Sequence, residues 1–258
     1  MESKPNKRPR RSRAADTSRK KGGAPASAAP ALSAAIKLAD LVESDYKLLT
    51  ILSRLGIKLG FAESSVADIC ARYRLSADLF LLICRIYSSD DFRPQPEYLE
   101  PSDLGNLVSY LRTSHTYYLT TVIPRLGGDI QRMTACCDEK YGKILNSFFD
   151  NYRREVDKHF AYEERVVFPY IEALLAGKRD TDPTGYSIET FEENHSDIDT
   201  TLNDLKNIIL KYIPEDCPPM MQTDVLLEIF RFEEDLAKHT VIENEVLIPL
   251  VTKLESHE

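Results

Sequence analysis

No apolar run in this sequence approaches the ~18 residues that a bilayer span needs, and the N-terminus lacks the apolar core of a secretory leader. Cysteine is sparse. Cys70, Cys84, Cys136, Cys137 and Cys217 show no regular spacing and no Cys-x-x-Cys, so a disulfide framework is not expected and a reducing cytoplasmic interior is. Basic residues are scarce beyond the first 22 positions, which hold nine Lys or Arg against Glu2 and Asp16. Of the totals of 33 and 41, the remaining chain keeps 24 basic and 39 acidic residues, a balance of -15. An acidic body excludes broad binding of phosphate backbones by the folded part and leaves only the N-terminal arm for nucleic acid. No membrane partner is expected.

Histidine is also rare, five in all, and four of the five obey one symmetry. From 159 the chain reads His-Phe-Ala-Tyr-Glu-Glu-Arg-Val-Val-Phe-Pro, and from 239 His-Thr-Val-Ile-Glu-Asn-Glu-Val-Leu-Ile-Pro. His, Glu, Val and Pro recur at one offset of 80 residues. The same offset pairs His115 with His195, each followed by a Thr-Thr. His115 to His159 and His195 to His239 are both 44 residues apart, as a duplicated helix hairpin would leave them.

In chain order, residues 1–33 read as a disordered basic arm: a solvated tail, a nucleic-acid tether or a targeting address. Residues 34–90 hold short helical patterns at Ala35–Val42, Tyr46–Leu55, Ser65–Tyr73 and Ser76–Tyr87, with Ser64 or Ser65 and Ser76 as N-caps. The Val66 to Phe80 stretch has helix-turn-helix spacing, which suits either DNA reading or packing against a partner. Residues 91–101, with Pro94, Pro96 and Pro101, read as a linker. From 102 to 258 the period is helical throughout. Helix A (about 103 to 125) carries Val108, Leu111, His115, Tyr118 and Val122, and helix B (about 141 to 175) carries Phe149, Tyr152, Val156, His159, Glu163 and Val166. Helix C (about 187 to 212) places His195 on its stripe, and helix D places His239 and Glu243. The expected fold is all-α, an up-down-up-down four-helix bundle after a small helical domain. Pro169 and Pro249 should kink helices B and D.

These stripes turn two carboxylates and four imidazoles into an apolar interior, with no Lys or Arg on either motif stripe. A buried carboxylate without compensation is too costly to persist, so a cation is required. His159 with Glu163, and His239 with Glu243, lie at i and i+4 and can each grip one centre, while helices A and C add one imidazole apiece. Six nitrogen and oxygen donors exceed a tetrahedral zinc site and, without thiolate, suit iron or manganese. The expected site is a dinuclear centre, two iron ions bridged by Glu163 and Glu243 and completed by oxo, hydroxo or water. Glu155 and Asp235, one turn before His159 and His239, are either supporting carboxylates or an ordinary solvated face.

His115, the His159 to Glu164 run with Val167-Phe168-Pro169, His195, and the His239 to Glu243 run with Ile248-Pro249 resemble the hemerythrin-like HHE family. The set of four His and two Glu is more closely similar to the di-iron family that repairs iron-sulfur centres (the ScdA/YtfE group); oxygen-carrying hemerythrin uses five histidines. Leu38 to Tyr87 resembles that family's N-terminal domain, with Gly56-Ile57 at the start of its signature. Where the family has a Cys-Cys pair this chain has Gly60-Phe61, and Cys136-Cys137 lies instead between helices A and B. The resemblance implies repair of clusters damaged by nitrosative or oxidative stress, by iron donation or by nitric oxide processing. Its implied partners are damaged iron-sulfur proteins, with nitric oxide or oxygen as small ligand, and a homodimer is allowed. The rival expectations are an oxygen or nitric oxide sensor whose N-terminal helices regulate transcription, and storage of oxygen or iron.

Overall fold

In the computed structural model, which describes residues 32–178, 186–194 and 198–256, every regular element is a helix, and no strand occurs among the described residues. The arm up to residue 31 lies outside the described residues, and so does His195. Four short helices come first: α1 (Leu38–Ser44), α2 (Leu48–Arg54), α3 (Val66–Tyr73) and α4 (Ala77–Ser88). Ser65 caps α3 by accepting the Asp68 N–H, and Asp68 returns the bond to the Ser65 N–H. Ser76 caps α4 through the Leu79 N–H. α2 stops at Gly56, whose φ of 68° lets the Ile57 N–H turn back to the Leu52 carbonyl at 2.8 Å. That stop leaves Arg54 on the last turn of α2, facing the bundle.

α4 does not lie as a DNA-reading helix must. Eight of its twelve residues, from Leu79 to Tyr87, are buried, and only Asp78, Arg85 and Ser88 are exposed. Helix-turn-helix spacing and a buried helix hairpin share one apolar pattern, and here the second helix is core. The proline-rich stretch after it makes one 3-10 turn, Pro96–Tyr98, and buries Pro96 and Leu99.

The long helices follow as interrupted rods. α5 (Asp103–Tyr117) runs through a π segment at 118–122 into α6 (Ile123–Thr134), and α7 (Glu139–Tyr162) through 163–167 into α8 (Phe168–Leu175). α9 (Ile188–Asn194) and α10 (Ile198–Tyr212) come next. α11 (Pro219–Ile242) runs through a π segment at 243–247 into α12 (Ile248–Ser256). α6 packs on α7 and α11, and α10 packs on the same two, so each rod touches its sequence neighbours and the first touches the last. This is the up-down-up-down ring. The first rod outlasts its expected end near 125, and Gly127 within it serves packing rather than a break: a Cβ there would stand 2.8 Å from the Phe149 ring.

The expected proline breaks take a definite form. Each π segment ends two residues before a proline, Pro124, Pro169 or Pro249, so the missing N–H falls where the hydrogen-bond register is already changing. α10 has Asp204 at the corresponding position and no π segment.

Duplication places counterparts 80 residues apart on either side of a pseudo-two-fold axis, and those closest to it meet each other. Tyr152 and Phe232 are in ring contact at 6.5 Å, and Glu163 meets Glu243 in one cluster. Cys137 and Cys217 obey the same rule and form a disulfide between the two hairpin connections. The expectation of no disulfide is therefore corrected: spacing along the chain looks irregular, but this pair shares the 80-residue offset of the histidines.

The His and Glu layer also divides the core. On one side lie residues such as Leu107, Leu111, Phe168, Phe191 and Val246, packed with α1 to α4; on the other lie Tyr118, Leu126, Phe149, Ile198, Leu205 and Phe232. In the sequence, His195 falls between Phe191 of the first cluster and Ile198 of the second.

Candidate metal centre

Four of the six expected ligands converge in one buried knot. His115, Glu163, His239 and Glu243 each offer one donor atom, and these atoms lie within 4.8 Å of one another. Glu163 is fully buried, Glu243 almost so. Glu163 turns its two oxygens to different partners: Oε2 is 3.0 Å from His115 Nε2, and Oε1 is 2.9 Å from His159 Nε2. His159 therefore joins the knot from the Glu163 side. Glu243 Oε1 is 2.9 Å from His239 Nε2. His195 lies outside the described residues, so its place is not assigned.

Local helix geometry produces this convergence. Glu163 and Glu243 are each the first residue of a π segment, one turn after its histidine. The wider turn changes the facing of every residue after it and re-aims side chains, which is why such segments recur at functional sites. Aromatic rings seal the knot. Phe160 stacks on His115 at 4.2 Å, Phe168 lies beyond at 5.4 Å, and Tyr118 meets His239 edge-on at 5.6 Å.

The donor chemistry fits a cation. His115 Nε2 and His239 Nε2 approach to 3.1 Å while each also faces a carboxylate oxygen. Only one proton can lie between two such nitrogens, so at least one of them turns a lone pair to the other, and a cation between them would satisfy both. His115 Nδ1 is 2.9 Å from Glu164 Oε1, and in the neutral ring a carboxylate there favours the tautomer whose Nε2 is bare. Glu164 is itself held by the Arg112 Nε–H at 3.1 Å. Burial disfavours charge on His115, but its hydrogen bonds to Glu163 and Glu164 and the charges of Glu163 and Glu243 outweigh that and push its pKa up to about 9. The pocket draws positive charge to itself. Two carboxylates and two imidazoles, without thiolate, make a donor set for a borderline or hard metal.

The two supporting carboxylates foreseen one turn earlier have different fates. Glu155 is exposed and accepts the Thr201 hydroxyl at 3.1 Å, an ordinary surface contact. Asp235 is bound to the buried Arg54 of α2 through both of its oxygens, one at 2.9 Å, and accepts the Tyr87 hydroxyl at 2.7 Å. The Arg54 guanidinium also lies 4.9 Å over the Tyr118 ring, which touches His239. α11 is also tied to residues flanking the N-terminal helices, Glu234 to Lys47 just before α2 and Lys238 to Asp90 just after α4. Sequence reasoning assigned no role to Arg54, Arg112 or Glu164. Glu164 is visible as the second Glu of its run, whereas Arg54 stands 181 residues from its partner and gives no local signal.

A search of curated proteins finds no significant match. The hemerythrin HHE cation-binding domain matches residues 108–251, more than half of the chain and the whole span from His115 to Glu243. By that match, and with a His and Glu cluster suited to metal at its centre, the chain belongs to the hemerythrin HHE cation-binding family.

Proposed function

We propose that this protein holds two iron ions through His115, His159, Glu163, His195, His239 and Glu243, and that it serves in the cytoplasm to repair iron-sulfur clusters damaged by nitrosative or oxidative stress. The observation that carries the reading is Glu163, whose two oxygens face two different imidazoles, so that it would help to hold an ion on each side. Bound there, iron would supply a redox-active centre open to a small ligand such as nitric oxide or oxygen, or an exchangeable store for a damaged cluster.

The chain's own residues set the conditions for that use. Glu164 holds His115 in the tautomer that presents Nε2, and Arg112 holds Glu164. Phe160, Phe168 and Tyr118 exclude bulk water around the knot, which strengthens every charge interaction within it. The four converged residues supply imidazole and carboxylate without thiolate, a donor set that suits iron. Burial of α4 weighs against the alternative of a DNA-reading sensor.

The test is restoration of a nitric-oxide-inactivated iron-sulfur dehydratase by the iron-loaded full-length protein. Recovery of dehydratase activity that Glu163→Ala does not support is expected. No recovery from protein that carries its metal in full contradicts the repair role.

A further inference from the structure

The bridge between Cys137 and Cys217 lies at the connection end of the bundle, apart from the His and Glu layer. Its two ends differ in access. Cys217 is fully buried, whereas Cys137 is half-buried and lines an open groove of about 690 Å³ with Thr134, Gly142, Lys143, Asn146 and Arg154. The Met133 carbonyl stands 3.1 Å from Cys137 Sγ, so an S–H at Cys137 has an acceptor in place when the bridge is open. Cys136, exposed beside it, is a free thiol. The remaining cysteines belong to another class: Cys70 and Cys84 are buried among apolar side chains, and burial pushes the Cys70 thiol up to about 11. The bond joins symmetry-related positions in two connections, and with Cys217 sealed an attacking thiol can approach only from the Cys137 side.

We infer that Cys137 and Cys217 form a reversible dithiol-disulfide couple, entered at Cys137 from the groove by a low-molecular-weight thiol of the glutathione kind. Charges of both signs stand beside the groove, Lys143 paired with Glu139 at 2.5 Å and Arg154 donating to the Asp150 carbonyl at 3.2 Å, and they can re-pair with a small thiol that carries both ammonium and carboxylate groups. In the reducing direction the thiolate of the small molecule attacks Cys137 Sγ and the Cys137–Cys217 bond breaks. The electron pair leaves on Cys217 Sγ, which takes up one proton. A second small thiolate then attacks the sulfur of the first, releasing the small disulfide and Cys137 as a thiolate. That thiolate takes up the second proton and can direct its S–H to the Met133 carbonyl. Two small thiols are thus oxidised to one disulfide, and the protein bridge is reduced to two thiols. Oxidation by the small disulfide runs the same steps backwards. The couple does not depend on what the His and Glu layer binds.

The experiment equilibrates the folded full-length Cys136→Ser protein with reduced and oxidised glutathione at a series of ratios. The free thiols are then trapped with a mass-tagged alkylating agent and the peptides weighed, with circular dichroism recorded on each sample. The expected result is a bridge that passes from mostly closed to mostly open across the series with the helical signal unchanged. The closed-to-open ratio should fall about a hundredfold for each tenfold rise in reduced glutathione at fixed oxidised glutathione. In the single variants, Cys217→Ser should leave Cys137 carrying one glutathione, and Cys137→Ser should leave Cys217 unmodified while the chain is folded. A bridge that opens only in denaturant is a fixed staple and overturns the inference, as does a pair that stays reduced in the most oxidising mixture. Modification of Cys217 in preference to Cys137 overturns the assigned entry.

Discussion

The two hairpins of the bundle are copies in sequence and unequal in surroundings. The first carries His115, His159 and Glu163, and the second carries His195, His239 and Glu243 at the same offsets. Around them the symmetry lapses. Glu164, which supports His115, has Asn244 as its counterpart; Arg112 has Glu192; and Pro124 with its π segment has Asp204 in a helix without one. Asp235 is clamped by Arg54 and Tyr87, whereas its counterpart Glu155 faces solvent. Duplication therefore accounts for the donor set, while support and cover come from whichever neighbours each copy has. The N-terminal helices pack against α5 and α11, and they supply Arg54 and Tyr87 to Asp235.

The largest effects should fall on what the copies share. Glu163→Ala and Glu243→Ala should each cut bound metal to below about half of the wild-type amount, read by elemental analysis of purified protein, because each removes a buried carboxylate from the knot. Loss from one variant only would show that one hairpin holds the metal alone. Next comes the clamp. Arg54→Met leaves Asp235 without its buried cation and should lower unfolding stability by about 3–5 kcal/mol in a denaturant melt, against a change within about 0.5 kcal/mol for Glu155→Gln at the symmetry-related position. Equal effects would mean that the N-terminal helices add nothing to α11.

Opening the bridge between the hairpins should matter somewhat less. Cys217→Ser should lower stability by about 2–4 kcal/mol under oxidising conditions and have little effect in excess reductant, where the wild-type bridge is already open. The smallest effect sharpens the difference in support: Glu164→Gln should weaken metal affinity about 10–100-fold in competition with a chelator, while Asn244→Ala, on the other copy, should change it little.

What could be read in advance follows the same division. The four rods and the inward His and Glu residues are legible because burial on one helix face leaves a 3.6-residue period, and because an exact offset of 80 is hard to produce by chance. Cys137 and Cys217 carried that offset as well, but cysteines judged only by spacing along the chain hide a pair that meets across an axis. The π segments leave only a proline behind them, and a proline alone also reads as a simple kink. Arg54 was out of reach, since nothing near Leu52 or Gly56 signals an acid 181 residues away. α4 shows the opposite hazard: its apolar pattern was visible, but the pattern of a buried helix also fits a groove-reading one.

Elemental analysis of the aerobically purified full-length protein, with its near-ultraviolet spectrum, bears most directly on the shared donor set. About two irons per chain with an oxo-bridge absorption band are expected, since Glu163 faces two imidazoles at once. One metal ion per chain, or none, would contradict a carboxylate-bridged pair.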